Sequence, residues 1–389
     1  MTSCRASYAV LVLLATVPGG ALATPGGEGG YSPARLALTG CTIAQAAAGA
    51  TFTSALTSAL GGCGSARAPS SSTPRHHAAG FPAAAQAAAS SNSGALDGII
   101  HTDGHGHLTL NGSRFQFVGV DAFELATYWN INFGCGSEIA SLDGFFGSLT
   151  PNSVIRFWAF QDFTQSKVTG GRDWTPIDRV VRAAERAHQR LIFVLGDQWA
   201  NCHGEQYKDA AFYTGGYKSQ TPRGEGETYW RWVHDVVYRY RYSPAVAMWE
   251  PLNEAQGDCV KVGAWNLQHF FDSVGDLIKS IDSKHLVESG LLGSNQCGTT
   301  LGDYVIAQNV SDIDVVSYHD YGDPASLPAG LKYRLEQAET LNKPLIVGEV
   351  GFLSDCGAMQ AKQAAQFAAG VSGFMPWNWD GPGAPTCGF

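Results

Sequence analysis

The chain is 389 residues long, 44% hydrophobic and only 15% charged, with a formal net charge of −9. Its 25 Lys and Arg stand against 34 Asp and Glu, which leaves no clustered basic footprint for a phosphate backbone and excludes nucleic acid as a partner. The 10 Trp, 14 Tyr and 19 Phe exclude disorder of the whole chain and provide more flat rings than a core need use, a surplus suited to sugars or other flat-faced ligands.

The chain opens with Arg5, an apolar run from Tyr8 to Val17 and an Ala21-Leu22-Ala23 ending. That layout reads as a secretory signal peptide over residues 1–23. The run is too short to span a bilayer, which takes about 20 residues, and no later stretch is apolar enough, so no membrane span is expected. Leu38-Thr39-Gly40-Cys41 has the look of a lipobox, but the apolar stretch that should feed it is missing, and lipid anchoring at Cys41 is not expected. Residues 24–94 are mostly Ala, Gly, Ser, Thr and Pro, with too few large side chains to offset the entropy of ordering them. They read as a disordered low-complexity extension.

From about residue 95 to 389 the pattern becomes that of one folded domain. Leu108 to Phe115 carries Asn111-Gly112 between alternating runs, a hairpin signal. Eight β-type runs follow: Phe115–Val120, Val154–Trp158, Leu191–Leu195, Val246–Trp249, His285–Leu291, Val315–His319, Leu345–Val350 and Gly373–Trp379. Seven helical stretches lie between them, at Glu138–Leu149, Pro176–Arg190, Thr228–Tyr242, Gly263–Ile281, Leu301–Asn309, Leu331–Leu341 and Met359–Val371. Alternating β and α units indicate a parallel sheet, and no Gly-x-Gly-x-x-Gly follows a strand, so the expected fold is a (β/α)8 TIM barrel with the hairpin at one end. Only Asp380 to Phe389 remain after the last strand, so the eighth helix is expected to be short or absent.

In such a barrel the chemistry sits at the C-terminal ends of the strands. Those ends carry Asp121, Arg156 with Trp158, Gln198 with Trp199, Asn253-Glu254, Gln296, His319 with Tyr321, Glu349 and Trp377. The order Asn253-Glu254, His319-Asp320-Tyr321, Gly348-Glu349-Val350-Gly351 and Trp377 resembles the retaining glycoside hydrolases of clan A, and within it family 5. Arg156-Phe157-Trp158-Ala159-Phe160 and Gln198-Trp199 are similar to runs of its endo-mannanases. Three positions depart from the family pattern: Pro251 where Leu is usual and Ala255 where Pro is usual in the strand-four motif, and Val350 where Phe is usual.

The resemblance implies a secreted, endo-acting, double-displacement enzyme that works as a monomer on a β-1,4-linked polysaccharide without metal or organic cofactor. Mannan is the implied substrate, with β-1,4-glucan as the alternative. Glu349 corresponds to the nucleophile and Glu254 to the acid/base. Arg156, Asn253, His319 and Tyr321 correspond to supporting residues, His319 and Tyr321 as the pair that hydrogen-bonds the nucleophile. Trp158, Trp199 and Trp377 correspond to sugar-binding rings. Glu250 could face the same side as Glu254 by strand periodicity and is read as a structural ion-pair partner. The rival readings are a non-catalytic sugar-binding barrel, which has no reason to keep both acids, and an acyl hydrolase, for which no Gly-x-Ser-x-Gly is present.

Apart from Cys4 the cysteines number eight, with no C-x-x-C pair, which points to disulfides made in an oxidising compartment. Six of them fall in loops on the expected catalytic face, and neighbouring loops suggest the pairs Cys202–Cys259 and Cys356–Cys387.

Overall fold

The computed structural model describes residues 96, 98–221, 226–259, 263–294, 296–321, 325–351 and 355–379. The expected leader, the low-complexity extension and residues 380–389, where the eighth helix is expected to be short or missing, lie outside them.

A small antiparallel sheet comes first, formed by β1 (Ile100–Thr102), β2 (Leu108–Leu110) and β3 (Ser113–Phe115) in that order. Asn111 and Gly112 both take positive φ, 53° and 75°, the pair of conformations a two-residue hairpin turn requires. Strand β1 has no counterpart in the sequence reading. It pairs with β2, and the connection between them is organised by Asp103, whose Oδ1 accepts from the amides of His105 (2.7 Å) and His107 (3.1 Å).

Eight parallel strands follow: β4 (Phe117–Asp121), β5 (Val154–Trp158), β6 (Arg190–Val194), β7 (Val246–Glu250), β8 (Leu286–Val287), β9 (Val316–Asp320), β10 (Leu345–Gly351) and β11 (Gly373–Trp377). They run in the order β8-β7-β6-β5-β4-β11-β10-β9. The two ends of that row meet where Glu288 bridges Val315 and the Val315 amide donates to the Val287 carbonyl at 3.1 Å, which closes the barrel. Most strands are buried along their whole length, the reason they read as continuous apolar runs rather than alternating ones. Phe115, expected to open the first barrel strand, belongs to the hairpin sheet instead.

All seven expected helices are present: α1 (Leu142–Gly147), α2 (Thr175–Arg186), α3 (Tyr229–Tyr240), α4 (Gly263–Ile281, the expected bounds), α5 (Asp303–Gln308), α6 (Ala329–Leu341) and α7 (Cys356–Ala368), with α2, α6 and α7 starting one to three residues early. Side-chain caps decide three of those ends, since Ser141 accepts from the Gly144 amide, Thr228 from the Arg231 amide and Asp355 from the Gly357 amide. No helix among the described residues is long and apolar enough to cross a membrane.

The barrel interior is layered. Val154, Ile192, Met248, Leu286, Val315, Ile346 and Met375 form an apolar floor, and Ile100 and Leu108 of the hairpin sheet pack beneath it, plugging that end. Arg156 and Glu250 stand two residues beyond Val154 and Met248, so strand periodicity places them one layer higher on the same inward side. The chain thus puts a polar layer directly on an apolar one.

Two disulfides are seen, Cys135–Cys202 and Cys259–Cys297, with Cα separations of 5.1 and 4.6 Å. The expected Cys202–Cys259 pair is therefore wrong. Asp197 turns the loop after β6 by accepting from the amides of Trp199 (3.0 Å) and Asn201 (2.9 Å), and the turned loop presents Cys202 to the loop after β4. Cys356 is also disulfide-bonded, while its expected partner Cys387 lies outside the described residues.

Candidate active site

Arg156, fully buried at the middle of β5, is the hub of the polar layer. Its Nε and Nη2 grip the two oxygens of Glu250, each at 2.6 Å. Nη1 donates to Asp121 Oδ1 (2.9 Å) and to Glu349 Oε1 (2.7 Å), and Nη2 donates also to Asn253 Oδ1 (2.6 Å). A guanidinium has five N–H donors, and these contacts use all of them. Glu250 has the structural ion-pair position expected of it.

Glu349 is brought to Arg156 by a register shift in β10 between Val347 and Glu349, the mark of a bulge that re-aims a side chain. Gly348 is needed at that point, because a Cβ there would come within 2.9 Å of Ser317 Oγ and 3.2 Å of His319 Nε2. The Tyr321 hydroxyl donates to Glu349 Oε2 at 2.5 Å, although its ring is 45% exposed.

Glu254 follows β7 in a left-handed backbone conformation, φ 50°, which costs a non-glycine residue about 1 kcal/mol or more and is held here by its amide donating to the Gly290 carbonyl at 2.7 Å. Its Oε2 accepts from the Trp199 indole N–H at 2.6 Å and its Oε1 faces His319 Nδ1 at 2.8 Å. The same Nδ1 lies 3.6 Å from Glu349 Oε2. Oxygens of the two carboxylates and a ring nitrogen of His319 all lie within 4.8 Å of one another.

Two expectations, those for His319 and Trp158, are altered by these contacts. His319 hydrogen-bonds Glu254, not the Glu349 carboxylate that Tyr321 holds. Trp199, expected as a sugar-binding ring, also directs its indole N–H to Glu254. Trp158 is 3% exposed, with its ring 5.0 Å from Phe160 and 5.8 Å from Trp377, so it backs the site from inside the barrel. Trp377 is partly open and stacks on Phe123 at 5.4 Å with the planes 9° apart.

Asp197 is a residue the sequence reading missed. Fully buried, it accepts from Asn253 Nδ2 at 2.9 Å as well as from the Trp199 and Asn201 amides, so one carboxylate orients both the amide beside Arg156 and the indole on Glu254. Its only signal is a charged residue three positions after an apolar strand, next to the Gln198-Trp199 pair that drew attention.

Electrostatically the site is crowded with acids. Burial pushes Asp121 well up, against the pull of Arg156 and with the charge of Glu349 adding to it. Burial also raises Glu349, opposed by His319 and Arg156. Burial acts on Glu254 as well, but the hydrogen bond and charge of His319, with the Trp199 N–H, bring its carboxyl below the ordinary value. Glu288, buried beside Glu250, is pushed well up by burial and by the charge of that neighbour. A single guanidinium, that of Arg156, is shared by Asp121, Glu250 and Glu349, so the titrations of these acids are linked.

A barrel whose strand ends bring two carboxylates this close, one on an arginine and one on a histidine, matches the chemistry of glycosidic bond cleavage. No family model matches the sequence. Mannan endo-1,4-beta-mannosidase A of Podospora anserina is 29% identical over 310 residues, covering 69% of this chain and 81% of that protein. The chain is a glycoside hydrolase. Mannan endo-1,4-beta-mannosidase A of Aspergillus aculeatus is 26% identical over 312 residues, covering 70% of this chain and 80% of that one. Among solved structures, the endo-1,4-beta-mannanase of Rhizomucor miehei superposes with a TM-score of 0.56 at 20% identity, over 72% of this chain and 90% of that chain, and shares the barrel fold. The hydrolase resembles its relatives over the barrel, where every residue of the site lies.

Proposed function

We propose that this hydrolase is an exported, monomeric, endo-acting enzyme that cleaves β-1,4-mannosidic bonds of mannan with retention of configuration. The observation that carries the mechanism is the approach of Glu254 and Glu349 within 4.8 Å, which suits the roughly 5–5.5 Å carboxyl separation of retaining enzymes and not the roughly 6.5–9.5 Å of inverting ones. The mannan assignment is supported by what the curated relatives are named for. Export is supported by the disulfides.

Glu349, held by Arg156 and Tyr321, attacks the anomeric carbon. The bond from that carbon to the leaving oxygen breaks, and the oxygen takes the Glu254 proton. In the second step Glu254 removes a proton from water, the water oxygen bonds the anomeric carbon, and the ester to Glu349 breaks. The first step needs the proton on Glu254 and a free carboxylate on Glu349. His319 Nδ1 lies between the two carboxylates, 2.8 Å from Glu254 and 3.6 Å from Glu349. Asn253 keeps one amide hydrogen after serving Asp197, available to a sugar hydroxyl.

The test is reducing-sugar release from mannan, glucomannan, carboxymethylcellulose and xylan measured side by side. Release from mannan and glucomannan is expected. Release from carboxymethylcellulose alone would make the enzyme a β-1,4-glucanase.

A further inference from the structure

Tyr207 is 52% exposed, yet its position is tightly fixed. The residue after it, Lys208, pairs back onto Gln198, with the Lys208 amide donating to the Gln198 carbonyl at 3.1 Å and Gln198 Nε2 donating to the Lys208 carbonyl at 2.7 Å. Residues 199–207 are thus a loop closed at its base, and Trp199 and Tyr207 are the two rings flanking that closure, their centroids 6.1 Å apart and their planes at 51°. The Gln198 side-chain oxygen also accepts from the Gln256 amide at 3.0 Å, and Gln256 Nε2 reaches the Tyr207 hydroxyl at 3.5 Å. Both loops that flank Glu254 are therefore tied to one buried glutamine.

The orientation of Glu254 gives this arrangement a direction. Its Oε1 faces His319 and, beyond it, Glu349, while its Oε2 faces Trp199 and, beyond that, Tyr207. In a double displacement the nucleophile lies on the side of the sugar that stays bound, and the acid protonates the group that leaves. We infer that Tyr207, with Gln256 at its hydroxyl, forms the subsite that binds the leaving sugar and, in the reverse sense, a sugar acceptor. The ring offers a flat apolar face to the pyranose and the glutamine a hydrogen-bonding edge, on elements rigid enough to hold a geometry. When an acceptor is bound there, its hydroxyl oxygen attacks the anomeric carbon, the ester to Glu349 breaks and the hydroxyl proton passes to Glu254.

This inference rests on the double-displacement reading, and its test separates the two. For Tyr207→Ala and for the unaltered enzyme, kcat/KM is measured on a mannooligosaccharide, whose leaving group is a sugar, and on an aryl β-mannooligoside with the same glycone. The ratio of the first to the second is expected to fall roughly tenfold in the variant. The fraction of glycosyl-enzyme captured by added mannobiose, against water, falls with it. Tyr207→Phe keeps the ring and retains most of the ratio, and Tyr242→Ala, which removes a 74% exposed ring before β7 at the opposite end of the barrel, leaves the ratio unchanged. A parallel loss on both substrates, or an unchanged ratio and acceptor capture in Tyr207→Ala, overturns the inference. Failure of the unaltered enzyme on both substrates would instead refute the mannan reading.

Discussion

Glu254 and Glu349 are chemically identical side chains to which the barrel gives different neighbours. Arg156 and Tyr321 grip Glu349, whereas His319 and Trp199 grip Glu254 across the cleft. Replacing Glu254 with Ala removes the proton donor and nothing that attacks carbon. In kcat/KM, which reports the first step alone, oligosaccharides should lose a factor on the order of 10² to 10⁴, while activated aryl glycosides, whose leaving group needs no proton, should retain far more of theirs. Equal losses on both would deny Glu254 the acid role. Asp197 yields a prediction of a different kind, because burial pushes its carboxyl from an ordinary 3.8 up to about 7. Between those values the native protein holds a proton that the unfolded chain has released. The residue's contribution to stability is then greatest below pH 4 and declines as pH rises to 7, by about 4 kcal/mol at most. Asp197→Asn has no such proton, so in urea denaturation the stability gap between variant and parent should move in the variant's favour from pH 4 to pH 7. A gap independent of pH would mean that Asp197 is ionised throughout.

At the level of elements, the strand ends and the loops after them differ in how far the sequence reveals them. Arg156, Glu349 and Trp377 sit on strands whose apolar runs fix where they end, so their convergence was readable from eight runs in order. The loop contacts were not. Trp199 reaches Glu254 only because Asp197 bends the chain after β6, and Cys202 meets Cys135 for the same reason. The order of loops around a barrel gives neighbours, but local side-chain-to-backbone hydrogen bonds decide which way each loop leans. The disulfide itself closes a separation of 67 residues between the first and third loops of the catalytic face. Cys135→Ser should lower stability by about 4 kcal/mol at most, seen as a drop in Tm, from the entropy regained by the unfolded chain. An unchanged Tm would show that the loops are held by their other contacts alone.

For the whole molecule, the apolar floor and the polar layer above it follow from strand periodicity, which is why the barrel and its catalytic end were legible before any coordinates. What periodicity does not carry is the short, local geometry: the bulge that turns Glu349 inward, the left-handed Glu254 and the curtailed β8, only Leu286–Val287 where a seven-residue run was expected. The first two arise where the backbone leaves regular geometry to bring a carboxylate into place. The resulting arrangement makes one claim above the others, that a sugar is transferred to Glu349 before it reaches water. A 2-deoxy-2-fluoro mannoside with a good leaving group slows the second step and should let that ester accumulate. Mass spectrometry of the digested protein should then find one added glycosyl unit on the peptide containing Glu349. A unit attached at Glu254, or inactivation with no covalent sugar at either glutamate, would contradict the double displacement proposed for this barrel.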